Sequence, residues 1–176
     1  MPRNVEIKAR LADPDATERL VARAAGGPPV LLRQTDTFFR VPSGRLKLRE
    51  FSDRPAELIW YERPDTLEPK GSRFERVAVP DAGALRDLLG DALGVRGVVA
   101  KTRAYYRVGR TRVHLDDVAG LGRFLELEVE MAEGESLAEG TAEAERLMRA
   151  FGVAPDALVA VAYIDLLQAA RPAPEI

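Results

Sequence analysis

Formal charge recurs at every second residue in strand after strand of this 176-residue chain, and that pattern restricts its folds more than any other feature. The opening run Asn4-Val5-Glu6-Ile7-Lys8-Ala9-Arg10-Leu11 alternates without a break. A strand there puts Val5, Ile7, Ala9 and Leu11 on one face and Asn4, Glu6, Lys8 and Arg10 on the other. The same reading gives one face to Arg45, Lys47 and Arg49, another to Glu57, Tyr61 and Arg63, and another to Arg73 and Glu75. Lys101, Arg103 and Arg107 then face Arg112, His114 and Asp116, and the last strand carries Glu126, Glu128 and Glu130 at i, i+2, i+4. For any one strand, solvation and edge protection explain such a face. Taken together they need more, because like charges in a row repel unless a cation or a facing basic row compensates. A sheet that turns these faces into a common lumen supplies the compensation, as a channel rich in Lys and Arg with one acidic end.

The remaining punctuation sets out the elements. Asp13-Pro14 opens a helix that ends at Gly26-Gly27, and strands follow over 34–39, 45–50, 56–63 and 72–79, the first two joined across Pro42-Ser43-Gly44. Asp81 caps a short helix through Leu93, and a hairpin of 98–108 and 112–118 turns at Gly109-Arg110. A strand from Arg123 to Met131 leads to the capping box Ser136-Leu137-Ala138-Glu139, which opens a helix stopped by Gly152, and a last helix is expected over 155–169. No linker divides the chain, so residues 1–170 read as one domain and 171–176 as a frayed tail. Strands and helices in this order, with enough strands for one large antiparallel sheet or barrel, make the fold class α+β.

Composition excludes much chemistry. With no Cys, the chain has no disulfide scaffold, thiolate nucleophile or Cys-based zinc site, and its one His cannot build a His-rich metal site. No G-x-S-x-G turn accompanies that histidine. No apolar run approaches the ~18–20 residues of a bilayer span and the N-terminus has no apolar signal region, so a cytoplasmic protein with no membrane partner is expected. A net charge of -2 argues against a uniformly basic DNA binder. Charge must therefore act locally. Carboxylates beside rows of Lys and Arg suit a polyanion with a hard divalent cation, Mg2+ or Mn2+, held by oxygen, with Arg gripping phosphate bidentately and Lys acting as a point charge.

Particular motifs carry a family likeness. Asn4-Val5-Glu6-Ile7-Lys8 is similar to an E-x-E-x-K signature, and it is followed in order by Gln34-x-Asp36-Thr37-Phe38-Phe39, Gly44-Arg45-Leu46-Lys47-Leu48-Arg49-Glu50, Tyr61-x-Arg63-Pro64 and Val99-x-Lys101-x-Arg103. Leu115-Asp116-x-Val118-x-Gly120-Leu121-Gly122-x-Phe124, Glu126-Leu127-Glu128 and Ala162-Tyr163-Ile164-Asp165-Leu166-Leu167 complete the set. Across nearly its whole length the chain resembles the CYTH superfamily, the triphosphate tunnel metalloenzymes, and within it the class IV adenylate cyclases. The resemblance implies a closed antiparallel barrel of about eight strands with peripheral helices, binding a triphosphate and Mg2+ or Mn2+ in its lumen. It implies metal ligands at Glu6, Asp116, Glu126 and Glu128, and triphosphate contacts at Lys8, Lys47, Arg49, Arg63, Arg73, Lys101 and Arg103. Asn4 stands where the family's first Glu usually stands, which removes one negative charge and bears on the number of metals.

The implied reaction is conversion of ATP to cyclic AMP and pyrophosphate. The alternatives are hydrolysis of thiamine triphosphate or inorganic triphosphate, and a noncatalytic module that binds polyphosphate or a phosphorylated ligand. Both reactions need positioning and charge neutralisation more than covalent chemistry. Lys8 and Tyr61 are candidate general bases, with Lys8 favoured as a plain phosphate-binding cation. His114 shares a face with Asp116 and reads as a partly exposed, passive histidine. Phe38 and Phe39 straddle both faces of their strand, so one of them is placed to flank a nucleobase. A homodimer is compatible with all of this.

Overall fold

In the computed structural model, residues 4–62 and 73–170 are described. The elements run β1 (Asn4–Arg10), α1 (Pro14–Ala25), β2 (Val30–Phe39), β3 (Arg45–Phe51), β4 (Ala56–Glu62), β5 (Arg73–Val79), α2 (Ala82–Leu93), β6 (Val95–Val108), β7 (Thr111–Val118), β8 (Gly122–Glu130), α3 (Leu137–Ala150), a 3-10 turn (Pro155–Ala157) and α4 (Tyr163–Ala169). Helix boundaries follow the caps: the Asp13 carboxylate accepts the Ala16 N–H at 3.0 Å, the Asp81 carboxylate accepts the Ala84 N–H at 3.0 Å, and Ser136 and Glu139 form the capping box of α3. The expected tail, 171–176, lies outside the described residues.

All strand pairs are antiparallel, in the order β1-β8-β7-β6-β2-β3-β4-β5. Two runs of consecutive hairpins, β2 to β5 and β6 to β8, are joined by the long β2·β6 ladder, which starts at Val30 opposite Tyr105 and so lengthens β2 beyond its expected start. Among the described residues, β1 and β5 are the sheet edges and do not pair with each other, so the expected closed barrel is a curled, open half-barrel. The chain after α3 shows why β1 is not available to β5. Ala9 bridges Leu158, and the Val159 N–H donates to the Lys8 carbonyl at 2.8 Å, so a C-terminal strap occupies that edge. The strap also corrects the expected helix over 155–169. Residues 158–162 are drawn out along β1, and helix resumes at Tyr163, where the Asp165 carboxylate accepts the Ala162 N–H at 3.1 Å.

The sheet is inside out relative to a solvated one. Its apolar convex face, with Val5, Ile7, Val113, Leu125, Leu127 and Val129, packs under α1 and α3 against Val21, Leu147, Met148 and Phe151. Each fully buried aliphatic side chain there contributes about 1.5–3 kcal/mol. The approach of α3 to β1 is close, since a Cβ on Gly140 would lie 2.7 Å from Val5 Cγ2. α2 covers Phe39 and Leu48, and α4 covers one mouth of the curl through Phe38, Val99, Phe124, Tyr163 and Ile164. The charged faces are left to the concave side.

Candidate functional site

All eight strands and the strap aim side chains into one cavity of about 350 Å³, within the range of small-molecule sites. Two matching clamps dominate it. Lys47 and Arg49, two apart on β3, share a face, and Asp36 on β2 stands directly opposite Arg49. The Asp36 carboxylate accepts from Lys47 Nζ at 2.9 Å and from Arg49 Nε and Nη2 at 2.7 Å each. Lys101 and Arg103 repeat the spacing on β6, with Asp116 of β7 opposite Arg103. Asp116 accepts from Lys101 Nζ at 3.1 Å, from Arg103 Nε and Nη2 at 2.6 Å each, and from the Tyr163 hydroxyl at 3.0 Å.

Burial alone would raise both carboxyls, but the paired cations overcome it: Asp36 is held far below the usual carboxylate range by Lys47 and Arg49, and Asp116 falls to about 2 beside Arg103 and Lys101. The lysines show the opposite balance. Burial, with the neighbouring Arg49, pushes Lys47 down to about 7 against the pull of Asp36, and burial with Arg103 lowers Lys101. The arginines stay charged, Arg103 well above its ordinary value because Asp116 outweighs its desolvation. Each clamp therefore holds a Lys-x-Arg pair in place with one carboxylate.

The third group lies on β7 and β8. Glu126 takes Lys8 Nζ at 3.3 Å and Arg103 Nη2 at 2.5 Å on its two oxygens, and Arg112 Nε donates to Glu128 at 2.8 Å. Between the two carboxylates stands His114, with Nδ1 3.6 Å from Glu128 and 3.9 Å from Glu126. His114 is buried, and its Nδ1 makes no hydrogen bond. Burial and the Arg103 charge lower its pKa, so the imidazole is neutral at pH 7, the form that ligates metal. One ligand atom each from His114, Glu126 and Glu128 lies within 4.8 Å of the others. An unbonded, buried ring nitrogen aimed at two carboxylates fits a divalent cation that accepts mixed nitrogen and oxygen donors. Lys8 lies beside this group, its ammonium 4.0 Å from the Tyr163 ring centroid and donating to the Val161 carbonyl at 3.2 Å.

With fold and site in place, the comparison with known families is decisive: the CYTH domain model matches residues 2–163. The chain belongs to the CYTH family. No curated protein matches the sequence. Among solved structures, a Pyrococcus horikoshii protein is similar at TM-score 0.82 and 23% identity, covering 93% of this chain and 98% of its own. A Vibrio parahaemolyticus protein assigned provisionally as an adenylate cyclase is similar at TM-score 0.73 and 20% identity, over 94% and 97% of the two chains. A Hippeastrum protein with a provisional adenylyl cyclase assignment, described as revealing a dominant triphosphatase activity, gives TM-score 0.68 at 15% identity over 99% and 98%. At these identities the likeness is one of fold.

In this CYTH domain most of the residues expected at the site converge. Glu6, Lys8, Lys47, Arg49, Tyr61, Lys101, Arg103, Glu126 and Glu128 all line the cavity. Arg63 lies outside the described residues. Arg73 does not reach the cavity: the β4·β5 register pairs Tyr61 with Phe74 and Ile59 with Arg76, so the inward residues of β5 are Phe74 and Arg76, while Arg73 is exposed against the Trp60 ring at 5.7 Å. Asp116, expected as a metal ligand, accepts from Lys101, Arg103 and Tyr163 and stands outside the group of ligand atoms that His114, Glu126 and Glu128 bring together. His114 is not the partly exposed residue that its strand position suggests: it is buried, with β6 and β8 on either side of it. Sequence reasoning assigned no role to Asp36 or Tyr163. Both sit inside quoted motifs, and a polar Asp36 between Thr35 and Thr37, in phase with Phe38, was the available signal. No helix among the described residues is long and apolar enough to cross a membrane.

Proposed function

We propose that this CYTH domain is a divalent-metal-dependent enzyme that acts on a triphosphate. The observation that carries the reading is the pair of Asp-anchored Lys-x-Arg clamps facing the same cavity as His114, Glu126 and Glu128. Lys47, Arg49, Lys101, Arg103 and Lys8 hold the phosphate oxygens as fixed cations whose side chains are already ordered, so little reorganisation is needed when charge shifts during reaction. Glu126, Glu128 and His114, with Glu6 on the adjoining strand, would hold Mg2+ or Mn2+, which supplies charge neutralisation at the phosphoryl oxygens. Lys8 serves as a cation in this scheme, since Glu126 and the Tyr163 ring both favour its ammonium form. Ring closure with loss of pyrophosphate, the class IV adenylate cyclase reaction, needs the α-phosphorus at the acidic end. Hydrolysis needs the terminal phosphorus there.

Purified protein should convert at least one of ATP, thiamine triphosphate and inorganic triphosphate with Mg2+ or Mn2+, and lose that activity with chelator. Glu126→Gln and Lys101→Ala should each lower kcat/KM by about 10²-fold or more while the far-ultraviolet circular dichroism is retained. Full turnover in both variants refutes the assignment, and tight binding without turnover at any metal leaves a binding module.

A further inference from the structure

Tyr163 reaches the cavity from outside the sheet, where the strap turns into α4. Its ring meets two of the cavity's cations: Lys8 Nζ lies 4.0 Å and Lys101 Nζ 5.1 Å from the ring centroid. Lys8 is on β1 and Lys101 on β6, with β8 and β7 between them, so no strand ladder pairs these two residues directly. Both lysines are buried. An ammonium on a four-carbon stem has many rotamers and repels its neighbour, whereas a desolvated ring face attracts both.

The ring is itself fixed. It packs edge-to-face against Phe124 at a centroid distance of 5.0 Å, and its hydroxyl donates to Asp116 at 3.0 Å. The next residue, Ile164, sits so close on β6 that a Cβ on Gly97 would lie 2.6 Å from Ile164 Cδ1. Behind it, the Asp165 carboxylate accepts the Ala162 N–H at 3.1 Å and pairs with Arg45 of β3 at 2.9 Å and with Arg96 of β6, which sets where α4 begins. The strap also grips Lys8 at both ends, through Val159 N–H on the Lys8 carbonyl at 2.8 Å and Lys8 Nζ on the Val161 carbonyl at 3.2 Å. We infer that Tyr163 is a positioning residue, whose ring holds the Lys8 and Lys101 ammoniums in a set arrangement for oxygens of the bound anion. The inference rests on the triphosphate reading above and adds that the C-terminal strap is a working part of the cradle. The ring takes no part in a chemical step. It orders two flexible cations before the anion arrives, so that binding has less side-chain entropy to overcome.

The test separates the ring from the hydroxyl and from the stability of α4. Kd for ATP, thiamine triphosphate and inorganic triphosphate is measured by calorimetry, in chelator and with Mg2+, in the wild type and in Tyr163→Phe, Tyr163→Leu, Tyr163→Met and Ile164→Val. Leu and Met keep apolar bulk without a ring, and each should raise the Kd of whichever probe binds by about 10-fold. Tyr163→Phe should stay near the wild-type Kd, since Asp116 keeps Lys101 and Arg103 as partners. Ile164→Val should lower the melting temperature, through a cavity in the same helix, and leave Kd unchanged. Nuclear magnetic resonance should show the ε-methylene protons of Lys8 and Lys101 shifted upfield by the ring in the wild type and Tyr163→Phe, a reading that stands even where a ringless variant does not fold. Unchanged Kd in folded Tyr163→Leu and Tyr163→Met, a loss in Tyr163→Phe or Ile164→Val as large as theirs, or no ring-current shift in the wild type overturns the inference alone. Absence of binding of all three probes to the wild type in both conditions overturns the triphosphate reading and the inference with it.

Discussion

Replacing Asp36 by Asn keeps the shape of the β2 clamp and removes its charge. In the folded protein Asp36 is 3% exposed and is the carboxylate hydrogen-bonded by both Lys47 and Arg49. Taking one partner from a buried ion pair costs about 3–5 kcal/mol, because the remaining charge stays buried without compensation. The penalty falls mainly on Arg49, which cannot shed its proton, whereas Lys47, already down to about 7, loses its proton more readily once Asp36 is neutral. We therefore expect a loss near 3 kcal/mol at pH 8. The sign of the pH dependence follows from linkage. A lysine with a lowered folded pKa binds fewer protons folded than unfolded, so stability rises with pH between the folded and unfolded values. In the wild type that rise begins at about 7. In Asp36→Asn the folded value is lower still, so the rise begins at lower pH, and the gap between the proteins widens as pH falls below about 7, by up to ~1.4 kcal/mol per pH unit. Urea unfolding at pH 8, 7 and 6 measures the gap, and inorganic triphosphate should narrow it by giving the two cations a new partner. A loss under about 1 kcal/mol at pH 7, or a gap that does not grow toward pH 6, refutes the clamp as described.

Other predictions bear on the same face and on the core. Binding of inorganic triphosphate at pH 8 should take up protons, because Lys47, at about 7 in the free protein, must charge to meet the anion; calorimetry in buffers of different ionisation enthalpy reads the uptake, and Lys47→Arg should abolish most of it. His114→Ala should weaken Mn2+ binding about 10-fold or more, measured by electron paramagnetic resonance of free Mn2+ without substrate, and should affect Mg2+ less, since imidazole suits Mn2+ better than Mg2+; equal loss for both metals argues that the ring does not ligate. Gly140→Ala should destabilise by about 1–3 kcal/mol in thermal unfolding, against the ~1 kcal/mol gain that alanine brings to an open helix interior, because the added Cβ would meet Val5 Cγ2 at 2.7 Å. A stabilised Gly140→Ala would mean that α3 can move off β1 at little cost.

How far the molecule was legible in its residues depends on the range of the forces concerned. Helix ends at Asp13, Asp81 and Ser136 were readable because capping is a contact over three residues, and the strands were readable because their period is local. The last helix was not. Pro155 to Ala169 has a helical pattern, but an open β1 edge, distant in sequence, offered residues 158–162 hydrogen bonds that a helix would have had to forgo. The Arg73 face failed for a related reason: a strand's phase is set by its ladder, and β5 takes its phase from Tyr61 opposite Phe74.

By itself, the sequence determined that charge alternates with apolar residues on nearly every strand, and hence that one face of the sheet must be covered and the other must gather Lys, Arg, Asp and Glu together. Composition likewise excluded thiolate and His-rich chemistry. Only the tertiary structure decided which charges meet. Asp116 became the counterion of Lys101 and Arg103 because the β6·β7 register sets it opposite Arg103, and His114 joined the carboxylates because the β7·β8 register sets it opposite Glu126. It also opened the barrel, since the strap took the β1 edge. Pairing across strands depends on register, and register is a property of the assembled sheet, settled by burial and hydrogen bonding across elements that no local stretch of sequence contains.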